Sequence, residues 1–433
     1  MSRGAALSDG VPAKGDAAVR HGPDAITLLR DPATIRARCA PITRAVEAGA
    51  SPYFKIDRGR LGHAAQIVER VTRAAYPDLR IPYHSRWRHF DAGGVPRTAE
   101  FDALLAGRSA AEQARARIDL ATVSVLLDAG AGPDWHYHEA QTGQSFARSE
   151  GLAVATLRAF IDGLFSATPD DPLRADAAQL QRQDPTALAR ALQATTDNPL
   201  LGLVGRAALL NRLGGALLGA AATTGAEARP GALYDTLTRS GAADAVGAGE
   251  VLRALLDTFA PIWVTGSVLH GVRLGDVWPH PWAGGESVVS GAHGTTAGWV
   301  PFHKLSQWLA YSLLEPFEWA GVRVTGIDAL TALPEYRNGG LLIDSGVIVA
   351  RDPMLLSRTL KAGDQAVVEW RALTVTLIDE LAPLVRERLG VTAEQMPLAC
   401  ILQGGTWAAG RELAEAMRGG RPPLSIESDG TVF

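Results

Sequence analysis

The chain is poor in cysteine, with only Cys39 and Cys400 among its 433 residues. They lie far apart and neither has neighbours at zinc-ligand spacing, which fits a reducing compartment better than a disulfide scaffold. An excess of basic charge is also missing. Lys and Arg number 42 against 46 Asp and Glu, for a net charge of −4 and a pI near 6.2. That balance argues against a protein that tracks nucleic acid along a basic groove, while leaving room for a local phosphate pocket. Met1 to Gly22 lacks the apolar core of a signal peptide. The most apolar long stretch, 199–222, is broken by Arg206, Asn211 and Arg212, so it reads as a buried helix and not a bilayer span. A cytoplasmic protein without a membrane partner is expected. No P-loop, no G-x-G-x-x-G after a strand and no G-x-S-x-G elbow occur, so nucleoside triphosphate hydrolysis and serine-hydrolase chemistry drop down the order.

What is present suits a large core: 47% of residues are apolar and 20% charged. Ile67, Val68, Val71 and Ala75 recur at helical spacing, as do Ile118, Val123, Leu126 and Leu127. A third stripe, Leu305, Trp308, Leu309 and Leu313, is expected to stop at Pro316. Asp364 is placed to cap a long helix carrying Val367, Trp370, Leu377, Ile378, Leu381 and Val385. Strand-like alternation is scarce, with candidates only at 322–324, 341–349 and 401–402. The spacing predicts a mainly α fold with a few short strands. Residues 1–23 read as a flexible N-terminus and 24–433 as a single extended unit, with lobes 24–165 and 190–433 as the alternative. The segment 277–298 is a loop rich in Gly, Trp and His.

Several clusters carry chemistry. Ser85-Arg-Trp-Arg-His-Phe90 gathers Arg86, Arg88 and His89 around a tryptophan, either as an anion clamp or as a cation–π and salt-bridge cluster. Asp128 stands at the C-terminal end of an apolar helix, where the macrodipole disfavours a carboxylate; it therefore has a strong partner or a task. The glycines that follow present Asp134, Trp135 and Tyr137. His136 and His138 share a strand face next to Glu139, but no second His/Asp cluster completes a metal set, and no metal is expected. Ser149 reads as an N-cap for the helical run 153–160. Lys304, Gln307 and Tyr311 share one helix face, and Leu333-Pro-Glu-Tyr-Arg-Asn-Gly-Gly340 sets Glu335, Tyr336 and Arg337 between a stiff proline and two glycines. A carboxylate flanked by an aromatic and an arginine has the means for pKa tuning in either direction.

These motifs bear a resemblance. Pro82-Tyr-His-Ser-Arg-Trp-Arg-His-Phe90, Ser124-Val-Leu-Leu-Asp-Ala-Gly-Ala-Gly-Pro-Asp-Trp135, Arg148-Ser-Glu-Gly-Leu-Ala-Val-Ala155, Phe302-His-Lys-Leu-Ser-Gln307 and the 333–340 stretch resemble the uracil catabolism protein 4 family of fungi and bacteria, from about Leu29 onward. That family is linked to degradation of uracil through a nucleotide-level intermediate towards urea. The C-terminal third also resembles queuosine-salvage nucleosidases, through Val300-Pro-Phe-His-Lys-Leu-Ser-Gln307, Leu330-Thr-Ala-Leu-Pro-Glu-Tyr-Arg337 and Val368-Glu-Trp-Arg-Ala372. Those are N-glycosidases of helical, DNA-glycosylase-like architecture acting on a 5′-phosphorylated riboside. Glu335 stands where they have an aspartate, and Ser312 where a second aspartate is expected.

The resemblances imply a hydrolase, an N-glycosidase acting on a phosphorylated riboside such as ribosylurea phosphate, with no cofactor. Glu335, Asp128 and Asp134 are the candidate catalytic acids. Arg86, Arg88, His89, Trp135, Tyr137, Lys304, Gln307, Tyr336 and Arg337 are the candidate substrate contacts. A metal-dependent amidohydrolase using His136 and His138, and a non-catalytic nucleic-acid-binding or scaffold protein, are the alternatives.

Overall fold

The computed structural model describes residues 22–128, 130–238, 244–263, 266–269, 271–284 and 296–427. It is mainly α-helical with short strands. The principal helices are α1 (Pro32–Glu47), α2 (Leu61–Ala75), α3 (Ala110–Leu126), α4 (Arg148–Ile161), α5 (Leu203–Thr224), α6 (Ala248–Phe259), α7 (Lys304–Trp319), α8 (Asn338–Asp344), α9 (Gln365–Leu389) and α10 (Trp407–Arg418). Asp31 caps α1 by accepting the Ala33 N–H, with Pro32 in the first turn where its missing N–H costs nothing. The 25-residue α9 follows Asp364 and ends at Gly390, whose φ of 72° suits the left-handed C-terminal position. This central helix packs against α1 and α2, while α7 lies against α3 and α6, and α8 against α9 and α10. The main apolar core runs through all of these elements, from Ile35 to Leu424.

The described strands form two-stranded pairs only. β1 (Phe54–Ile56) is antiparallel to β6 (Ile348–Ala350), with Lys55 opposite Val349. β2 (His136–Glu139) and β3 (Gln144–Ala147) make a hairpin. β4 (Val277–Pro279) pairs antiparallel with β5 (Trp299–Pro301), and β7 (Thr359–Leu360) pairs parallel with β8 (Ser425–Ile426). Of the loop expected at 277–298, residues 285–295, including His293, lie outside the described set. So does 1–21 of the expected N-terminal segment, while residues 22 and 23 open a short helix, Gly22–Arg30.

Four local expectations change. The helix bearing Lys304 does not stop at Pro316 but runs on to Trp319. A proline there deprives the Ser312 carbonyl of its helical partner, and the indole Nε1–H of Trp87 supplies the replacement at 2.8 Å. Residues 338–344 are helical rather than strand, because Glu335 accepts the first N–H groups of that turn; only Ile348 and Val349 of the 341–349 candidate are extended. Residues 401–402 are helical and lead into a π-helical turn, Leu402–Thr406. Its glycines allow contact with α2 that a side chain would block: a Cβ on Gly405 would lie 2.5 Å from Val68 Cγ1. Ser149 is not a cap, since α4 already begins at Arg148.

One buried acid on α9 gives the fold a pH signature. Glu369 is 0% exposed; Oε1 accepts from Ser51 Oγ, while Oε2 has no partner among the described residues and lies 3.9 Å from His280 Nε2, itself unpartnered. Burial pushes Glu369 up to about 7 and His280 down to about 4. The folded chain therefore holds the Glu369 proton more tightly than the unfolded chain. Its contribution is fully present below the ordinary glutamate range and is lost as pH rises towards 7; that of His280 runs the other way, lost as pH falls towards 4. Glu369→Gln should thus stabilise the fold at pH 8 relative to pH 5 by about 1–3 kcal/mol. Denaturant midpoints at the two pH values read this directly, and an equal shift at both would mean that Glu369 keeps an ordinary titration.

Candidate functional site

A cavity of about 410 Å³ opens where α4, α7 and α10 begin, against the segments that follow α3 and precede α8. Asp128 and the Gly130–Gly132 turn form one side, and Arg148 and Ser149 lie at the mouth. Lys304, Leu305 and Trp308 come from α7, and Leu333, Glu335 and Tyr336 from the approach to α8. His84, His89 and Trp407 complete the wall, with Leu424 and the strand residues Ser425 and Ile426. The volume suits a small metabolite.

Each polar group is held by identifiable bonds. Glu335 accepts the N–H of Arg337 and of Asn338, both at 2.7 Å, so it also caps α8. Burial raises its pKa against the opposing effects of those two N–H groups and of Lys304. Burial lowers Lys304, with Glu335 opposing. Asp128 meets the Arg86 guanidinium at 3.1 Å, and its other oxygen, Oδ1, is buried without a partner among the described residues. Arg86 is 0% exposed and donates locally, Nε to Ser124 Oγ at 2.8 Å and Nη1 also to His89 Nδ1 at 3.3 Å, while Nη2 is buried without a hydrogen-bond partner among the described residues. His84 pairs through Nδ1 with Gln403, which the π-helical turn presents, and its pKa is lowered by burial. Such turns are frequent at functional sites.

The structure brings together Glu335, Asp128, His89, Lys304 and Tyr336. It does not bring the other nominated residues to the cavity. Arg86 stands behind Asp128, and Arg88 turns away to Glu315 at 2.7 Å. Asp134 is exposed, and its carbonyl oxygen takes His136 Nδ1. Trp135 and Tyr137 are core residues, the indole donating to the Leu192 carbonyl. Gln307 is fully buried and binds Thr331 and the Phe302 carbonyl, and Tyr311 likewise donates to Thr331. Arg337 lies over the Tyr336 ring and donates to the Gly420 carbonyl. Ser312 accepts the Arg86 backbone N–H and donates to the Trp308 carbonyl. His136 and His138 sit on the exposed face of β2, with His138 against Ser145 Oγ, and no group of three or more potential metal ligands occurs among the described residues.

Sequence reasoning missed Arg148, Trp308 and Trp407 on the cavity wall, and two residues beneath it. Asp276 and Arg371 form a buried bidentate pair, both bonds at 2.6 Å. Asp276 also accepts the first N–H of α7, that of Lys304, and Arg371 donates to the Pro334 carbonyl next to Glu335. Of that pair only Arg371 had a signal, as part of the Val368–Ala372 motif, and Arg148 had one as the first residue of the Arg148–Ala155 motif. The glycines before Trp407 were the available hint for that residue.

The fold and site define a mainly helical protein with a cavity of metabolite size that carries acidic, basic and aromatic side chains. The chain belongs to the family described as "Protein of unknown function (DUF1688)", matched over residues 28–433. It is similar to "Protein urg3" of Schizosaccharomyces pombe, 36% identical over 411 residues, covering 92% of this chain and 96% of that protein. It is similar also to "Uracil catabolism protein 4" of Lachancea kluyveri, 36% identical over 417 residues, covering 89% and 93%. No helix among the described residues is long and apolar enough to cross a membrane.

Removing one partner of a buried ion pair leaves the other charge uncompensated. Arg371→Met should therefore destabilise the protein by about 3–5 kcal/mol, and the double variant with Asp276→Leu should recover much of that loss. Denaturant unfolding tests the cycle; additive losses would show that the two residues do not act as a pair.

Proposed function

We propose that this protein acts in uracil catabolism as an N-ribosyl hydrolase. In this reading it cleaves the C–N bond of a 5′-phosphorylated riboside, ribosylurea phosphate, to urea and ribose 5-phosphate. A helical N-glycosidase architecture belongs to the same proposal. The name of the Lachancea relative supports the pathway. The chemistry is supported by one observation: two carboxyl groups, Glu335 and Asp128, line a single cavity in different surroundings. Glu335 is buried and its pKa is raised, which favours its protonated form and suits it to the part of the acid that gives a proton to the departing nitrogen. Asp128 is backed by Arg86 and keeps Oδ1 unpartnered, which suits it to face the positive charge that develops on the sugar or to take the proton of an attacking water.

The phosphate requires cations that reach the cavity, and Arg86 and Arg88 do not. Lys304 and Arg148 line it, and Arg148 is exposed and makes no ion pair among the described residues. Phosphate binding at that end positions the scissile bond near the acids. The reaction calls for no cofactor.

The direct assay incubates the purified protein with a panel of 5′-phosphoribosides, including ribosylurea phosphate, and measures urea and ribose 5-phosphate by mass spectrometry. Release of both from ribosylurea phosphate is expected; no release from any member of the panel rules the reading out. Glu335→Gln should lower kcat by about 10²–10⁴-fold and, by weakening the α8 cap, reduce stability by about 1 kcal/mol. Arg148→Ala should raise KM for the phosphorylated substrate while leaving the dephosphorylated riboside unaffected. Equal effects on the two would take Arg148 out of phosphate binding.

A further inference from the structure

The wall between Asp128 and Trp308 contains a donor whose protonation state is dictated by its neighbour. His89 Nδ1 lies 3.3 Å from Arg86 Nη1. A guanidinium only donates, so Nδ1 carries a lone pair and the ring proton of the neutral imidazole sits on Nε2. The ring is steadied edge-on by Trp308, centroids 5.8 Å apart, and both residues line the cavity. Arg86 itself is fixed from three sides, by Asp128, Ser124 and Ser312. Burial, together with the charges of Arg86 and Arg88 and the nearby His84, keeps the imidazole neutral at physiological pH. Two further polar atoms of this wall, Asp128 Oδ1 and Trp308 Nε1, are buried without partners among the described residues.

We propose that His89 is a catalytic residue that stabilises the leaving group. Its Nε2–H, held as a neutral donor by Arg86, hydrogen-bonds the oxygen of a ureido or amide group as the glycosidic electrons move onto it. The inference rests on the N-ribosyl hydrolase reading and narrows its substrates to those whose departing nitrogen is conjugated to a carbonyl oxygen. As the C1′–N bond breaks, its electron pair passes to the nitrogen and by conjugation to that oxygen. Water supplies the new C1′–O bond; its proton goes to Asp128, and the Glu335 carboxyl proton goes to the departing nitrogen. Urea and the ribose phosphate leave, and the two acids exchange their proton through solvent. His89 keeps its own proton throughout. A neutral donor suits this place, because an imidazolium here would repel both Arg86 and a cationic sugar, whereas a fixed dipole aimed at developing negative charge needs no reorganisation. Arg86 acts as a positioning residue, holding the acid and the donor at once.

The test compares two substrates with the same ribose 5-phosphate: ribosylurea 5-phosphate, and 4-nitrophenyl ribofuranoside 5-phosphate, whose phenolate departs without help. His89→Phe keeps an aromatic ring against Trp308 and removes the N–H. It should lower kcat on the ureido substrate by about 10²-fold and on the nitrophenyl substrate by less than about 3-fold. His89→Gln, which restores a neutral N–H donor, should recover part of the ureido rate. Equal losses on both substrates overturn the assignment and leave the hydrolase reading standing, and an unimpaired ureido rate in His89→Phe does the same. If the wild-type protein turns over neither substrate, the hydrolase reading falls and the inference with it. Should the variant lose its fold, both activities vanish together; Ser124→Ala, which loosens Arg86 without touching the cavity, must then show the same substrate-selective loss or the proposal fails.

Discussion

The cavity depends on the buried pair between Asp276 and Arg371. Four parts of the chain meet there. The Asp276 carboxylate takes both Arg371 donors, the Trp278 indole and the Lys304 N–H, while its carbonyl takes the N–H groups of Phe302 and His303. Arg371 stacks on Phe302 at 4.1 Å and donates to Pro334. The start of α7 and the approach to α8 thus hang from one ion pair on α9. Lys304 and Glu335 influence each other's protonation because this pair fixes both backbones. His303, held at φ 49°, marks the tight entry into α7 that the arrangement imposes.

The helices were legible wherever apolar residues recur on one face, as in α2, α3 and α9. Two boundaries failed where the deciding contact comes from a distant residue, whereas residues 338–344 turn on the nearby Glu335 carboxylate. Nothing near Pro316 in sequence announces that Trp87 will satisfy the carbonyl the proline leaves open. The 401–402 segment looks extended until α2 is brought against its glycines, a contact that only the folded chain creates. Propensity is local, and these elements are settled by tertiary contacts.

Site residues divide by the same logic. Glu335, Asp128, His89 and Lys304 were legible because polar and aromatic residues crowd around breaks in helical pattern. Gln307 and Trp135 sit in equally dense motifs yet serve the core, since a buried polar group must be satisfied whether or not it touches a ligand. The arginines make the distinction sharpest. Arg86 and Arg148 read alike as residues, but one is 0% exposed and held by Asp128 and Ser124, and the other is exposed at the cavity mouth. Burial separates a strut from a clamp, and burial is what a sequence without a fold does not display.

Charge balance inside the cavity bears on where the proposed phosphate clamp belongs. Asp128 is set against Arg86, and Glu335 against Lys304. The Asp128 charge is thus met by Arg86, while burial disfavours the charged forms of both Glu335 and Lys304. A doubly charged phosphate pushed among these groups would meet two acids at close range and lose its hydration, an arrangement that costs free energy in a low dielectric. At the mouth, Arg148 is exposed and makes no ion pair among the described residues, so in the proposed reaction a phosphate there would keep part of its water while the neutral portion of the substrate enters the interior. On that proposal the reacting bond would be presented to Asp128 and Glu335, and the anion would stay where solvent still supports it.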